Sequence, residues 1–125
     1  MYSLTIMMPV YNEKATVLAA IEDALTAELP VERREVIVID DGSTDGTSEL
    51  LRDTPFPDGV TMLHQPRNAG KGAAVRAGLV HASCEFTAIL DADLEYRAAD
   101  LGDLLEPLLA GELVVARVDI RDPRL

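Results

Sequence analysis

Short apolar runs alternate along the chain with segments of helical periodicity. Leu4 to Met8 reads as a strand that Pro9 should stop, because proline offers no N–H to a ladder. From Glu13 to Leu29 the residues Val17, Ile21, Ala24 and Leu25 recur at helical spacing, and Pro30 should end that element. Val36-Ile37-Val38-Ile39 is an unbroken β-branched run, the pattern of a strand covered on both faces. Ser43, Thr44 and Asp45 each suit the N-cap of a short helix reaching Arg52. A weaker strand over Val60 to Leu63, a helix from Lys71 to His81 and a strand from Phe86 to Leu90 come next. A Leu-rich helix through Leu101, Leu104 and Leu105 follows, which Pro107 should kink or end, and Leu113-Val114-Val115 predicts a fifth strand. Strictly alternating strands and helices imply an α/β fold, a parallel sheet with helices on both faces. Ligands of such sheets bind beyond the carboxyl ends of the strands.

Length and charge narrow the classes. A chain of 125 residues fits one domain, residues 1–125, and can bury roughly two thirds of its unfolded surface without disulfide or metal staples. With 22 Asp+Glu against 11 Lys+Arg, the net charge of −11 argues against nucleic acid as a partner, since phosphate backbones are bound by Lys and Arg. The single Cys84 excludes an internal disulfide and a cysteine-rich zinc site, and fits a reducing compartment. No apolar run approaches the roughly 18 residues of a membrane span, and no basic region precedes an apolar stretch at the N-terminus, so the chain reads as cytosolic.

Four polar clusters fall at the predicted carboxyl rim: Pro9-Val10-Tyr11-Asn12-Glu13, Asp40 through Thr47, Asn68-Ala69-Gly70-Lys71-Gly72, and Asp91-Ala92-Asp93-Leu94-Glu95. Each has a bland reading, because turns need Asp and Gly. Their coincidence on one rim favours a site. Asp91 and Asp93 stand two apart, so in extended backbone both carboxylates point the same way and can hold Mg²⁺ or Mn²⁺ through oxygen. Asp40 and Asp41 can accept hydrogen bonds from a nucleoside or cap a helix, and adjacent carboxylates need not share one role. Lys71 brings a cation to a helix N-terminus, where anions are favoured; the bland version is a solvated lysine. His64 and His81 have no metal-ligand spacing and read as surface or edge residues, while Cys84 reads as a buried small hydrophobe. Ala73, Ala74, Ala77 and Gly78 should let a helix pack tightly on the sheet.

Known phosphate-binding patterns do not fit. A P-loop needs Gly where Gln65 stands and Ser or Thr where Gly72 stands. The dinucleotide fingerprint needs Gly at Val75 and a place after the first strand. A phospho-acceptor receiver domain shares the length and acidity but carries its acidic pair after the first strand, where this chain has Met8-Pro9.

Met8 through Glu13, Val38 through Thr47, Asn68 through Gly78 and Asp91 through Tyr96 together resemble the successive motifs of family 2 glycosyltransferases. The likeness is greatest to the dolichol-phosphate mannose synthase and polyprenyl-phosphate glycosyltransferase branch. The resemblance implies a Rossmann-like GT-A nucleotide-sugar-binding fold and metal-dependent transfer of a sugar from a GDP- or UDP-linked donor to a polyprenyl or dolichyl phosphate. By the same resemblance, Pro9, Tyr11 and Glu13 line the base and ribose, and Asp41, with Asp40 beside it, holds the base. Lys71 lies near the base or diphosphate, Asp91 meets ribose or metal, and Asp93 is the main ligand of Mg²⁺ or Mn²⁺, assisted by Glu95. Asp91-Ala92-Asp93 then serves as a DXD motif.

Where the family usually has an acidic residue and Pro after this motif, the chain has Arg97-Ala98. It also ends, at Leu125, where family members continue into an acceptor half that carries the usual catalytic base. No catalytic base is therefore assigned, and the chain reads as the donor half of a larger enzyme. An alternative is a module that binds nucleotide and metal without turning over alone, completed by a partner or by a homodimer through the surface left by the missing half. A polyprenyl-phosphate acceptor would bring it to the inner face of the membrane as a peripheral protein.

Overall fold

The computed structural model describes residues 2–110. Within it the chain runs β1 (Ser3–Val10), α1 (Val17–Thr26), β2 (Arg33–Asp40), α2 (Thr47–Asp53), β3 (Val60–His64), α3 (Lys71–Leu79), β4 (Phe86–Ile89) and α4 (Asp100–Leu109). All pairings are parallel, in the order β3-β2-β1-β4. The fifth strand expected at Leu113-Val114-Val115 lies outside the described residues.

Period-two alternation assigns each strand residue to a layer. Ile6, Met8 and Val10 of β1 and Val36 and Val38 of β2 join the cluster that includes Val17 and Ile21 of α1, Leu51 of α2, and Leu101 and Leu105 of α4. Met7, Ile37 and Ile39 take the opposite parity and pack with Ala74 of α3. This division follows from handedness. Two right-handed crossovers stepping the same way, β1 to β2 to β3, put α1 and α2 on one face. The return to β4 on the far side of β1 puts α3 on the other. Burial on both faces is why the strands lack polar alternation, and each fully buried aliphatic side chain contributes roughly 1.5–3 kcal/mol.

The small-residue stripe of α3 brings that helix close to the sheet. A Cβ built on Gly78 would lie 2.8 Å from Ile39 Cδ1 and 3.0 Å from Met7 Sδ. Ala74, one turn earlier, is buried, whereas Ala73 and Ala77 are half-buried.

Some boundaries differ from the sequence expectation. β1 does not stop at Pro9 but carries it, buried, opposite Ile39. Met7 accepts the Leu90 N–H on the β4 side, and Val10 accepts the Asp41 N–H on the β2 side. Alternation therefore aims the nitrogen of Pro9 toward β4, whose pairing with β1 has already ended at Met7 and Ile89. No ladder bond is lost there. α1 begins at Val17 rather than Glu13, because residues 13–16 form a turn in which Thr16 and Val17 N–H both reach the Glu13 carbonyl. It ends at Thr26, short of Leu29, whose place before Pro30 disfavours helix. Pro107 lies inside α4, which continues to Leu109. Among the described residues no helix is long and apolar enough to cross a membrane.

Candidate functional site

Strand order reverses direction between β1 and β4, and the backbones that leave these two strands diverge beyond their carboxyl ends. A cavity of about 280 Å³ opens there. The arm after β1 contributes Pro9, Val10, Tyr11 and Glu13, and the arm after β4 contributes Asp91, Ala92 and Asp93. Asp41, Asn68, Gly70 and Lys71 complete the lining from the β2 and β3 sides. All four sequence clusters thus contribute to one cavity.

Side-chain hydrogen bonds tie these loops together. Asn12 occupies the left-handed region at φ 54°. Its N–H donates to Ser43 Oγ at 3.0 Å, and its side-chain oxygen accepts the Thr44 N–H at 2.8 Å. This fixes the turn that presents Tyr11 and Glu13. The loop after β2 touches the loop after β3 through Gly42, at φ +69°, where a Cβ would stand 2.4 Å from the Arg67 carbonyl carbon and the Asn68 nitrogen. Only glycine allows that approach.

The adjacent carboxylates at the end of β2 part company. Asp41 follows the α3-side parity and accepts the N–H groups of Ala69 and Gly70, each at 2.9 Å, so it sets the loop that starts α3 while also lining the cavity. Asp40 follows the α2-side parity and is only 1% exposed. It accepts the Ser43 N–H at 3.1 Å and the Ser48 hydroxyl, and lies 3.0 Å from His64 Nδ1. Burial raises its pKa, but the hydrogen bonds from Ser43, Ser48 and His64 outweigh this and hold the carboxyl below its ordinary value. Asp40, expected beside Asp41 at the base, does not line the cavity; its carboxylate makes its hydrogen bonds inside the rim.

Lys71, the first residue of α3, reaches Asp91 with Nζ 3.1 Å from Oδ1 and 3.2 Å from Oδ2. β4 has ended at Ile89, so Asp91 and Asp93 share the cavity through a turn rather than through the extended segment expected. Leu94, at φ 61°, continues that turn, and the Glu95 N–H donates to Asp93 Oδ1 at 3.0 Å. The Glu95 side chain is exposed and does not line the cavity, so the structure does not bring it to Asp91 and Asp93 as a third ligand. Among the described residues no group of three or more His, Cys, Asp or Glu could enclose an ion. Among the described residues that line the cavity, four carboxylates, Glu13, Asp41, Asp91 and Asp93, face one ammonium, Lys71.

The remaining expectations divide. The formal N-cap of α2 is Gly46, not Ser43, Thr44 or Asp45, although Asp45 still accepts the Thr47 N–H at 3.0 Å. His64 does sit on the edge strand, but its Asp40 contact was invisible in sequence because 24 residues separate them. Cys84 is half-buried, its Sγ 3.3 Å from Glu35 Oε2, rather than a buried hydrophobe. Sequence reasoning missed Thr16, whose hydroxyl donates to the Ala92 carbonyl at 2.6 Å. A threonine at a helix start gave a signal only for capping.

Comparison with known proteins agrees with this geometry. The chain is 35% identical over 96 residues to a dolichyl-phosphate beta-glucosyltransferase, ALG5C, of Trichomonas vaginalis, covering 71% of the chain and 28% of that protein. It is 36% identical over 115 residues to an undecaprenyl-phosphate 4-deoxy-4-formamido-L-arabinose transferase of Aeromonas hydrophila, covering 90% of the chain and 35% of that protein. The chain therefore spans about a third of the length of these curated relatives. Among solved structures, the mannosyltransferase PcManGT from Pyrobaculum calidifontis, in complex with GDP-Man and Mn²⁺, superposes with a TM-score of 0.70 at 31% identity, covering 84% of the chain and 32% of that protein. The Glycosyl transferase family 2 model matches residues 5–124. With its parallel sheet, its rim clusters and this match over nearly its whole length, the chain belongs to glycosyl transferase family 2, and its fold is of the GT-A type.

Proposed function

We propose that the cavity binds the nucleoside diphosphate portion of a GDP- or UDP-linked sugar together with Mg²⁺ or Mn²⁺, in an enzyme that transfers the sugar to a polyprenyl phosphate. The observation that carries this reading is the charge of the lining among the described residues, four carboxylates against one lysine at the topological switch point. A diphosphate entering that field alone would be repelled. Asp91 and Asp93 offer hard oxygen donors of the kind Mg²⁺ and Mn²⁺ take, and a bound diphosphate can supply the remaining oxygen ligands. The neighbour in complex with GDP-Man and Mn²⁺ supports the donor class, and the names of the relatives support the acceptor class.

The protein's own groups have separable tasks in this reading. Tyr11, 43% exposed beside the cavity, offers an aromatic face to a base or ribose, with Pro9 and Glu13 alongside. Asp41 keeps the Ala69–Lys71 loop in place and borders the same space. Lys71 stands ready to meet diphosphate oxygen once Asp91 is otherwise engaged. A divalent cation at Asp91 and Asp93 would offset the charge that develops on the departing nucleoside diphosphate. An acceptor phosphate is largely ionised at neutral pH, so its oxygen can bond to the anomeric carbon while the bond from that carbon to the diphosphate oxygen breaks. The electron pair leaves with the nucleoside diphosphate. Such an acceptor would draw the protein to a membrane surface. The short span relative to its relatives makes the donor portion of such an enzyme, acting with a further segment or a second copy, the form of the proposal specific to these residues.

Thermal unfolding of the chain with GDP or UDP, with and without Mn²⁺, tests the site. The expected result is a melting temperature raised by one nucleotide with the metal, and loss of the metal-dependent part in Asp93→Ala. No shift with either nucleotide would overturn the proposal. Transfer of labelled sugar to polyprenyl phosphate by the chain alone would show that these residues suffice for catalysis.

A further inference from the structure

The turn bearing Asp91 and Asp93 leaves the sheet early. Among the described residues, the Leu90 N–H to Met7 carbonyl bond, at 2.9 Å, is the last backbone bond from the β4 side to β1. Beyond it, α1 takes over. Thr16 donates its hydroxyl to the Ala92 carbonyl at 2.6 Å, and Asp23 accepts the Ala98 N–H at 2.7 Å and pairs with Arg97 Nε at 3.4 Å. Residues 16 and 23 stand seven apart, two helical turns, so they share one face of the helix. That face meets the segment 92–98 at both ends.

Thr16 is the N-cap residue of α1, yet its side chain makes no capping hydrogen bond. A capping threonine ordinarily gives its oxygen to an N–H of its own first turn. Here the hydroxyl's only hydrogen goes to the shorter contact, the Ala92 carbonyl; Glu13 Oε2 stands farther away, at 3.3 Å. Ala92 is 1% exposed, so its carbonyl has little access to water if the hydroxyl is removed. It is also the residue between the two cavity carboxylates.

We propose that Thr16 is a positioning residue for the Asp91–Asp93 turn: by holding the Ala92 carbonyl it keeps both flanking carboxylates on the cavity, and so sets the affinity for the divalent cation without touching it. The inference rests on the proposed function of the cavity. Its physical basis is that a ligand carboxylate is only as well placed as the backbone that carries it, and partners outside the ligand shell commonly govern metal affinity. Because no capping bond is lost, removal of the hydroxyl leaves the start of α1 nearly undisturbed.

Two measurements on the 125-residue chain test this, using Thr16→Val, which removes the hydroxyl at nearly constant shape, and Thr16→Ser, which restores it. In titrations of Mn²⁺ with GDP or UDP present, Thr16→Val should bind Mn²⁺ about tenfold more weakly, with metal-free nucleotide binding unchanged, and Thr16→Ser should return toward wild type. Without any ligand, amide exchange at Glu95, whose N–H is held by Asp93, should accelerate in Thr16→Val while the β2 amides stay protected. Wild-type Mn²⁺ affinity in Thr16→Val would overturn the inference. So would an equal loss of metal-free and metal-dependent nucleotide binding, or acceleration spread across β2, because these mark general loosening. Absence of Mn²⁺-dependent nucleotide binding in the wild type itself would overturn the proposed function, and this inference with it.

Discussion

Two acidic pairs stand on the same rim and do different work. Asp40-Asp41 closes β2, and its first carboxylate is buried among Ser43, Ser48 and His64. Asp91-Ala92-Asp93 follows β4, and both of its carboxylates line the cavity. Spacing makes the difference. Adjacent residues at a strand end point to opposite layers, so one of the first pair must go inward and find polar partners there. Residues two apart can share a side, and once the strand has ended a turn keeps them together. Acidity at a sheet rim is therefore not itself a site; which layer each carboxylate enters decides whether it is buried in the fold or faces the cavity.

The sharpest way to break the comparison is to remove each carboxylate and ask whether stability or binding suffers. Asp40→Ala should cost about 3 kcal/mol in denaturant unfolding, because it strands a buried serine hydroxyl and the His64 ring nitrogen. Asp93→Ala should leave stability nearly unchanged while removing metal-dependent binding. Equal destabilisation by both would erase the distinction drawn between the pairs.

Close behind comes the Gly42 contact between the β2 and β3 loops. Gly42→Ala should cost about 2 kcal/mol or more, since its Cβ meets Arg67 and Asn68 backbone at a positive φ. A variant as stable as wild type would mean that the loops separate freely.

Acidity tests the buried member of the first pair. The Asp40 carboxyl titrates below its unfolded-chain value, so its stabilisation is complete above about pH 4 and is lost as pH falls through the lower folded value. Asp40→Asn lacks this contribution. Unfolding free energies of wild type and variant should therefore converge on acidification, and a constant difference between pH 6 and pH 3 would contradict the assignment.

The smallest expected effect is at the partly exposed ion pair. Lys71→Met should change stability without ligand by about 0.5 kcal/mol or less, because solvent screens the Lys71–Asp91 attraction. A larger loss would place Lys71 among the supports of the fold rather than at the cavity.

Much was legible in the chain because period and punctuation are local. The β-branched run Val36 to Ile39 announced a strand buried on both faces, and it is wholly buried. Alternating elements announced a parallel sheet, and right-handed crossovers then brought the clusters to one rim. The details that no local pattern carries share a cause. Pro9 lies within β1 because the ladder toward β4 has ended, a fact about the neighbouring strand. Glu95 belongs to the motif in sequence but faces solvent once Leu94 turns the backbone at φ 61°.

The sequence by itself determined the fold class, the rim and the residue types gathered there, since hydrophobic period and turn chemistry act over a few neighbours. Only the tertiary structure decided that one carboxylate of the first pair and both of the second line the cavity, that His64 answers Asp40, and that Thr16 reaches Ala92 instead of capping its own helix. Those outcomes depend on side-chain parity and on contacts across 24 and 76 residues of chain, and no local pattern carries the distances involved.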